Sequence, residues 1–388
     1  MRRRVVAVSL ILFFLFATVP VVAVQWVTLF GILVVVASAV WSNSTRKKLT
    51  VTRRDPVLSA FRFQKTLMQV EVRNRSIFPI AHLSVTDPCG RLRAEGRTSA
   101  VVSLNAGARM FLRYRIQGMM RGVHEAGPLR VRGSDPLGLF PWYEVVGDPA
   151  HITVYPALHA VYLPYRRGLP AGNLSTANPI YEDATRFRSL RGYIRGDDPR
   201  RISWKATART GELHTMEYLP ALSFPVLILL NLRSDQYEIK RRFQAIERNI
   251  EAAAALVVHA QRLAQPVGLS VSGKIDGSDG DFAFPLAAGY SHAVSLLRAL
   301  AACGSHPGRF DVSAFQSVSG SIPYGTRIFY IGPALDAESV IALSELAHGE
   351  TTLDLLYTSR RSREHERFIP ASVTIREIPE YGEFRFAG

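Results

Sequence analysis

The sequence predicts a multidomain α+β protein with an N-terminal transmembrane helical hairpin, an all-β sandwich and a doubly wound α/β domain. Three observations lead to this prediction. The run from Val5 to Trp41 carries no charged side chain, the stretch after it alternates apolar and polar residues, and strands then alternate with helices from Ser223 onward. The predicted segments are residues 1–48 for the hairpin, 49–158 for the sandwich, 159–222 for a connector and 223–388 for the α/β domain.

The charge-free run is too long for a single membrane crossing. A straight helix over Val5–Trp41 would be about 55 Å long, nearly twice the thickness of a hydrocarbon core. Pro20 and the polar Gln25 therefore mark a predicted turn between two short spans, Val5–Val19 and Trp26–Trp41.

Basic residues stand on both sides of this run, at Arg2–Arg4 and at Arg46–Lys48. The positive-inside rule then predicts that both ends lie in the cytoplasm. The expected location is the inner or plasma membrane, with multi-pass topology, bilayer contact through residues 5–41 and cytoplasmic soluble domains. The alternative is a cleaved signal peptide ending near Ala23, followed by a stop-transfer span that leaves the body on the same side.

The β-sandwich is predicted from short alternating runs that are separated by turn signals. MQVEVRN (Met68–Asn74) places Val70 and Val72 on one face, and RMFLRYRIQ (Arg109–Gln117) alternates in the same way. Pairs such as Asp87-Pro88 punctuate the stretch between Leu49 and Pro156. Several short strands at this spacing are typical of a sandwich.

The C-terminal part alternates strands and helices. Phe224–Leu232 is a nearly continuous apolar run, which is typical of a central parallel strand. Phe243–Leu263 has the period of a helix and is followed by Pro266. The further predicted elements are strands at Val267–Ser272, Phe282–Leu286, Thr326–Ile331, Thr352–Tyr357 and Ser372–Ile378, and helices at Ser291–Cys303 and Ala337–Ala347.

The densest cluster of charge lies just before this domain, between Arg186 and Arg209. Asp198 suits an N-cap and Gly211 suits a left-handed helix end, so one short helix is predicted between them. Arg201, Lys205 and Arg209 are spaced four apart and would form one basic ridge. Trp204 is predicted to pack under this ridge, within cation–π reach of Arg200.

Like charges at helical spacing repel by roughly 0.2–0.5 kcal/mol per pair, so this cluster needs a compensating interaction. One reading is an internal network with Asp197, Asp198, Glu212 and Glu217; the other is a binding site for an anion or an acidic partner. The candidate binding residues are Arg195, Asp197, Asp198, Arg200, Arg201, Trp204, Lys205 and Arg209.

Residues 196–209 read GDDPRRISWKATAR, which resembles the signature of the bacterial and archaeal family called domain of unknown function 58. Ser203 stands where the family usually has Asp. The family layout of membrane hairpin, β-rich segment, motif and von Willebrand type A-like domain also resembles the order predicted for this chain. The resemblance implies this architecture, whereas the family has no established biochemical activity.

A von Willebrand A-like domain usually carries Asp-x-Ser-x-Ser after its first strand, where hard oxygen ligands hold Mg²⁺. The aligned stretch runs from Asn231 to Asp235 and has lost this pattern. Arg233 would bring a positive charge to the position of the metal, so the expectation is a degenerate site without a metal or cofactor. Ser234 and Asp235 in a shifted register are the alternative ligands.

Composition limits the function without fixing it. The net charge of +15 suits an acidic protein, an anionic membrane or nucleic acid, and the two cysteines give no disulfide framework. There is no Gly-x-Ser-x-Gly elbow, no His-Glu-x-x-His and no Cys–His pattern, which argues against an enzyme. The arginines also lack the aromatic spacing of an RNA-binding sheet, which argues against nucleic acid.

The first functional hypothesis is accordingly a membrane-anchored, non-enzymatic scaffold or adaptor that binds an acidic protein partner through the basic motif. The family resemblance implies, as partners, a MoxR-type AAA+ ATPase or a transglutaminase-like membrane protein, in an assembly or chaperone-like role. The alternatives are a hydrolase acting on an anionic substrate at the basic cluster, and binding of anionic lipid or nucleic acid.

Overall fold

A computed structural model describes residues 21–54, 57–163, 182–194, 197–220, 224–275, 280–315, 322–323, 325–346, 351–358 and 373–385, together with part of 7–18. Within these residues the chain forms one long N-terminal helix, a β-rich region of several sheets, a separate two-stranded ribbon and a mixed α/β region. The mixed α/β architecture with an N-terminal apolar helix agrees with the prediction.

Helix α1 (Val22–Lys48) is, in the described part of the chain, the one helix long and apolar enough by length and composition to cross a membrane. Gln25 lies inside this helix, so its assignment to a turn is wrong: an isolated amide side chain does not break a helix whose backbone bonds are complete. Pro20 and most of the first predicted span lie outside the described residues. The helix ends at Lys48, and strand β1 begins at the next residue, Leu49.

The β-rich region contains two four-stranded sheets of order β1-β3-β7-β5 and β10-β9-β4-β6, and a three-stranded sheet of order β2-β11-β8. The strands are β1 (Leu49–Arg53), β2 (Val57–Phe61), β3 (Lys65–Asn74), β4 (Ile80–Thr86), β5 (Arg93–Glu95), β6 (Ser99–Leu104), β7 (Arg109–Gln117), β8 (Gly122–Ala126), β9 (Leu129–Ser134), β10 (Trp142–Val146) and β11 (Ala150–Tyr155). Residues from all three sheets share one hydrophobic core. Val70 and Val72 are fully buried in it, on the face that the alternation predicts.

This core also contains a charged pair. The guanidinium of Arg53 lies 2.5 Å from Oδ1 of Asp87, and the two side chains are only 6% and 0% exposed. The hydroxyl of Tyr114 donates to Oδ2 of Asp87 at 2.5 Å. Burial and the neighbouring carboxylate raise the pKa of Tyr114 far above its ordinary value, so the hydroxyl keeps its proton and remains a donor.

Most of the predicted surface connector, residues 164–181, lies outside the described residues. After β12 (Val161–Tyr162), the next described elements form a two-stranded antiparallel ribbon. The ribbon consists of β13 (Glu182–Gly192) and β14 (His214–Pro220), and helix α2 (Trp204–Thr210) lies between them. Among the described residues, the ribbon strands make their extensive contacts with each other and with the short helices at the ribbon tip.

The α/β region is built on a six-stranded sheet of order β18-β16-β15-β20-β21-β22. All neighbouring strands run parallel except the edge strand β18, which is antiparallel to β16. The elements are β15 (Val226–Asn231), α3 (Arg242–Arg262), β16 (Val267–Ser272), β17 (Lys274–Ile275), β18 (Phe282–Ala287), α4 (Tyr290–Ala302), β19 (Cys303–Gly304), β20 (Arg327–Gly332), α5 (Ala337–Ser344), β21 (Thr352–Tyr357), β22 (Val373–Glu377) and β23 (Phe384–Arg385).

Helices cover both faces of this sheet, and the central strand β15 shows why. Its residues are all buried and alternate between two cores. Ile228 and Leu230 join the core that contains α3 and α4, whereas Leu227 and Leu229 join the core that contains α5. A strand buried on both faces is apolar throughout, which is the pattern that the run Phe224–Leu232 predicts.

Buried charges join the β-rich region to α3. Arg62, just after β2, lies 3.1 Å from a carboxylate oxygen of Glu251. Arg121, just before β8, pairs with Glu247 and donates to the backbone oxygen of Leu300 at 3.1 Å. The four charged side chains are at most 18% exposed. These ion pairs between the two regions are therefore largely shielded from water.

Glu251 is the centre of this group. It also accepts hydrogen bonds from Arg248 at 3.1 Å and from His159 at 3.0 Å. Burial raises the pKa of Glu251, but the bonds from His159 and Arg248 outweigh burial, so the pKa lies below its ordinary value. Arg248 in turn donates to the backbone oxygen of Pro379 at 2.8 Å and so ties the C-terminal segment to the same cluster.

Candidate functional site

The basic motif lies at the tip of the β13–β14 ribbon. The register pairs Gly192 with His214, so the residues between them form the connection at the end of the two strands. Among the described residues, neither strand of the ribbon makes an extensive contact with the sheets of the two larger regions. Arg195 and Gly196 lie outside the described residues, whereas Asp197 and the residues that follow it at the tip lie within them.

Two short helical segments stand where one helix is predicted. Asp198 caps a 3-10 turn over Pro199–Arg201, accepting a hydrogen bond from the backbone nitrogen of Arg200 at 3.0 Å. Ser203 then caps α2, accepting from the backbone nitrogen of Ala206 at 3.4 Å. Gly211 ends α2 in the left-handed conformation, at φ 78°, as its sequence position predicts.

The helix is interrupted because the residues between the two segments form backbone pairs with β14. Ile202 forms an isolated antiparallel bridge with Thr215, and the backbone nitrogen of Ser203 donates to the oxygen of His214 at 2.8 Å. Arg201 therefore lies outside α2, so the predicted three-residue ridge is wrong. The basic ridge consists of Lys205 and Arg209, four residues apart on α2.

The capping role of Ser203 also accounts for the departure from the family signature. Ser and Asp are both strong N-cap residues, because either side chain places an oxygen near the free backbone N–H groups of the first turn. Replacement of Asp by Ser at this position therefore preserves the start of α2. It removes one negative charge from a tip that is already rich in bases.

Asp197 holds the base of the tip together. Its carboxylate accepts two parallel bonds from the guanidinium of Arg191, at 2.7 and 2.8 Å, and a third from the backbone nitrogen of Ile194 at 2.9 Å. Arg191 also lies 3.1 Å from Glu217. These hydrogen bonds, led by those from Arg191, lower the pKa of Asp197 to about 2. Asp197 is thus a structural member of the candidate set.

The outer surface of the tip differs from its base. Lys205 and Arg209 are exposed, and the structure shows no ion pair between either of them and a described carboxylate. Trp204 is 68% exposed. The prediction that Trp204 packs under the ridge is therefore wrong, because the half-buried side of α2 that faces β14 is formed by Ala206 and Thr207.

The two faces of the ribbon differ in the same way. On the polar face, Ser189 donates to Glu217 at 2.6 Å. The opposite face carries Leu190, paired with Met216, and Phe187; Leu190 and Phe187 are both exposed. The basic residues can be recognised from the sequence alone. The apolar face was not predicted, because only the strand register shows that Phe187 and Leu190 lie on the same side of the ribbon.

The second candidate site lies at the carboxyl end of β15, where a doubly wound sheet typically binds ligands. Asn231 is fully buried there. Its amide nitrogen donates to Gln236 at 3.0 Å and to the hydroxyl of Tyr330 at 2.9 Å, and its oxygen accepts from the backbone nitrogen of Arg233 at 2.9 Å. The amide is fully used in fixing the loop after the strand.

Arg233 supplies a positive charge at this edge from within the chain. Its guanidinium lies 2.7 Å from Asp281 and donates to the hydroxyl of Ser272 at 2.9 Å. Ser234 donates to Asp235 at 3.0 Å, and this bond lowers the pKa of Asp235. The oxygens of the degenerate motif therefore bond to the protein itself. The described residues contain no group of three or more His, Cys, Asp or Glu arranged to hold a metal ion.

We expect no saturable Mg²⁺ binding at this edge, because the guanidinium of Arg233 and a divalent cation would repel each other. Calorimetric titration of the detergent-solubilised chain with millimolar Mg²⁺ or Mn²⁺ measures this directly. One-to-one binding that disappears in Ser234→Ala would show that the site works in the shifted register. Ser84→Ala, on β4 of the β-rich region, serves as a matched control.

Comparison with known proteins confirms the family resemblance drawn from the motif. Residues 189–318 match the family described as "Protein of unknown function DUF58". The chain is 23% identical over 249 residues to "Uncharacterized protein YeaD" of Bacillus subtilis (strain 168). That alignment covers 63% of this chain and 59% of the relative. The chain thus aligns with less than two thirds of its relative's length.

Solved structures resemble only part of the chain. A PapD-like domain of human CEP192 matches 29% of this chain and 86% of its own length, with 9% identity and a TM-score of 0.22. The CARDB domain of the PF1109 protein from Pyrococcus furiosus matches 28% of this chain and 85% of its own length, with 12% identity and a TM-score of 0.20. At these scores neither likeness supports an argument about fold or function.

Proposed function

We propose that this chain, which carries a DUF58 segment at residues 189–318, is a membrane-anchored, non-enzymatic adaptor that docks an acidic protein on the tip of its ribbon. The observation that carries the proposal is the outer surface of the tip. Two basic side chains without an ion pair among the described residues stand beside an exposed tryptophan, on a ribbon that contacts chiefly itself.

The chemistry of this surface supports a protein partner. Tryptophan and arginine are the side chains that contribute most strongly to protein interfaces, because they combine apolar area with hydrogen bonding. Trp204 and Arg209 lie on the same helix, and Arg209 can bind a carboxylate through two parallel bonds. The exposed apolar face at Phe187 and Leu190 extends the contact area beyond the tip. An acidic partner with an apolar edge fits both parts.

Helix α1 supports the membrane anchor. Its apolar part is about 20 residues long, which matches the roughly 30 Å hydrocarbon core of a bilayer. Its last turn contains Arg46, Lys47 and Lys48, and such basic ends face the cytoplasm. On this basis we place the ribbon and both larger regions in the cytoplasm, and a second span before α1 completes the proposed multi-pass topology.

The strand order supports a von Willebrand A-like α/β domain. The central strand β15 is flanked by four parallel strands and by one antiparallel edge strand, β18. In the proposed adaptor this domain offers a second protein-binding surface. The family resemblance names the partner class to examine first, a MoxR-type AAA+ ATPase or a transglutaminase-like membrane protein.

The double change Lys205→Glu with Arg209→Glu tests docking. Both side chains are exposed and neither forms an ion pair among the described residues, so the change should alter stability by less than about 1 kcal/mol and the chain should stay folded. We expect cross-linking in membranes, followed by mass spectrometry, to recover an acidic protein with the unchanged chain and to lose it with this variant. The same capture should weaken as salt is raised.

Arg130→Glu with Arg132→Glu is the matched control, because it changes the net charge equally on the exposed face of β9. The control should retain the partner. Equal loss in both variants would attribute capture to net charge alone and so to a polyanion or lipid surface. A folded tip variant that keeps its partners would contradict docking at the tip.

A further inference from the structure

Two loops of the β-rich region contact helix α1 at the end of its apolar part. The ring of Trp41 stacks on Phe78 with 4.6 Å between centroids, and its indole nitrogen donates to the backbone oxygen of Pro79 at 2.8 Å. Ser42 donates to the backbone oxygen of Phe140 at 2.6 Å. The first loop joins β3 to β4 and the second joins β9 to β10. Both loops therefore lie at the level of Trp41.

Each loop is held by one fully buried polar side chain. In the β3–β4 loop, Asn74 donates to the backbone oxygen of Phe78 at 2.9 Å. In the β9–β10 loop, Asp135 accepts from the backbone nitrogens of Leu137 at 3.1 Å and Phe140 at 2.7 Å. Buried groups that satisfy loop backbones in this way fix the loop shape. The two loops therefore have defined conformations.

These ordered loops present apolar side chains at their tips. Ile77 is 74% exposed and Leu137 is 62% exposed. A single exposed apolar residue needs no explanation. Here each of the two lies on a loop that is fixed by a buried polar group and that contacts α1, one loop at Trp41 and the other at Ser42. We name the surface composed of Ile77 and Leu137 the loop pair.

The position of Trp41 indicates what the loop pair contacts. The segment from Val22 to Trp41 is about 30 Å long as a helix, equal to a hydrocarbon core. Tryptophan concentrates at the boundary between that core and water. Arg46, Lys47 and Lys48 follow within about 10 Å, at the depth of lipid headgroups. A surface at the level of Trp41 is thus at the membrane boundary.

We propose that the loop pair inserts Ile77 and Leu137 into the headgroup–acyl boundary of the bilayer that α1 crosses. This inference rests on the proposed membrane anchoring by α1. The loop pair adds two shallow contacts beside one span, which fixes how the β-rich region sits on the membrane. The basic residues after Trp41 favour anionic lipid at the same place.

Site-specific fluorophores in nanodiscs of phosphatidylcholine and phosphatidylglycerol test this proposal. The full chain, with its two native cysteines replaced by alanine, receives one cysteine at a time and an environment-sensitive label. The four positions are Ile77→Cys, Leu137→Cys, Leu33→Cys in α1, and Val101→Cys on β6. Val101 is the matched control because it is an exposed apolar residue of the same region. Quenching by lipid-borne nitroxide and by aqueous iodide is compared.

We expect lipid nitroxide to quench the labels at 77 and 137 severalfold more than the label at 101, and iodide to show the reverse order. If the labels at 77 and 137 are quenched no more than the label at 101, while lipid nitroxide quenches the label at 33 strongly, the proposed insertion of the loop pair is refuted and the membrane anchor is supported. Weak lipid quenching at 33 refutes both the membrane anchoring by α1 and the insertion of the loop pair. All four positions are exposed, so retained thermal unfolding confirms that labelling preserves the fold.

Discussion

Asp87→Asn is expected to lower the free energy of unfolding of the β-rich region by about 3–5 kcal/mol. The change keeps the shape of the side chain and removes its charge. Arg53 would then remain in the core with no anionic partner, at 6% exposure. The penalty comes from this unpaired buried charge, since desolvation is no longer offset by attraction. Tyr114 also exchanges a charged acceptor for a neutral one.

Hydrogen–deuterium exchange of β3 and β7 under increasing urea measures this effect where it arises. Asp148→Asn, at an exposed turn, is the matched control and should change stability by less than about 0.5 kcal/mol. Replacing both partners, as Arg53→Met with Asp87→Leu, should recover much of the loss, because the core then contains no charge. A loss in Asp87→Asn no larger than in the control would contradict the account.

Glu251→Gln is expected to loosen the contact between the β-rich and α/β regions, at a loss of about 1–3 kcal/mol. The carboxylate is the shared partner of Arg62, Arg248 and His159. A neutral amide leaves two guanidinium groups shielded from water with less compensation. Thermal unfolding and hydrogen exchange of α3 should both report the change, and exchange should rise first at α3.

The contribution of this carboxylate also has a defined pH dependence. Because the folded pKa of Glu251 is lowered, its contribution is full above the ordinary value of 4.5 and is lost as the pH falls through the folded pKa. Glu251→Gln should therefore flatten the acid side of the stability profile. Glu380→Gln, which breaks an exposed pair with Arg241, is the control and should leave both stability and profile nearly unchanged. Equal profiles for the two variants would refute the role of Glu251.

The α/β region was predictable because its signals are local. The apolar run at Phe224–Leu232 and the periodic stretch at Phe243–Leu263 each fit one element, and the structure places β15 and α3 within a few residues of them. Gly211 was predictable for the same reason, since a left-handed helix end favours glycine through its own backbone. Such features need no knowledge of distant parts of the chain.

The features that escaped prediction depend on pairing across the chain. The helix in the basic motif breaks at Ile202 because that residue bridges Thr215, and spacing alone cannot show such a bridge. Trp204 is exposed because Ala206 and Thr207, not Trp204, lie on the half-buried side of α2. The bond between Arg62 and Glu251 joins residues 189 positions apart. Their charges looked like ordinary surface charge until the fold brought them together.

The direct junction between Lys48 and Leu49 has a consequence for how partners meet the protein. A flexible tether would let the body tumble, whereas a helix that passes straight into a strand makes the body tilt with the helix. With α1 in the bilayer as proposed, the β-rich region would stay at a nearly constant distance from the membrane. A partner confined to the same membrane would then search mainly in two dimensions, at raised effective concentration and with less rotational freedom left to lose on binding.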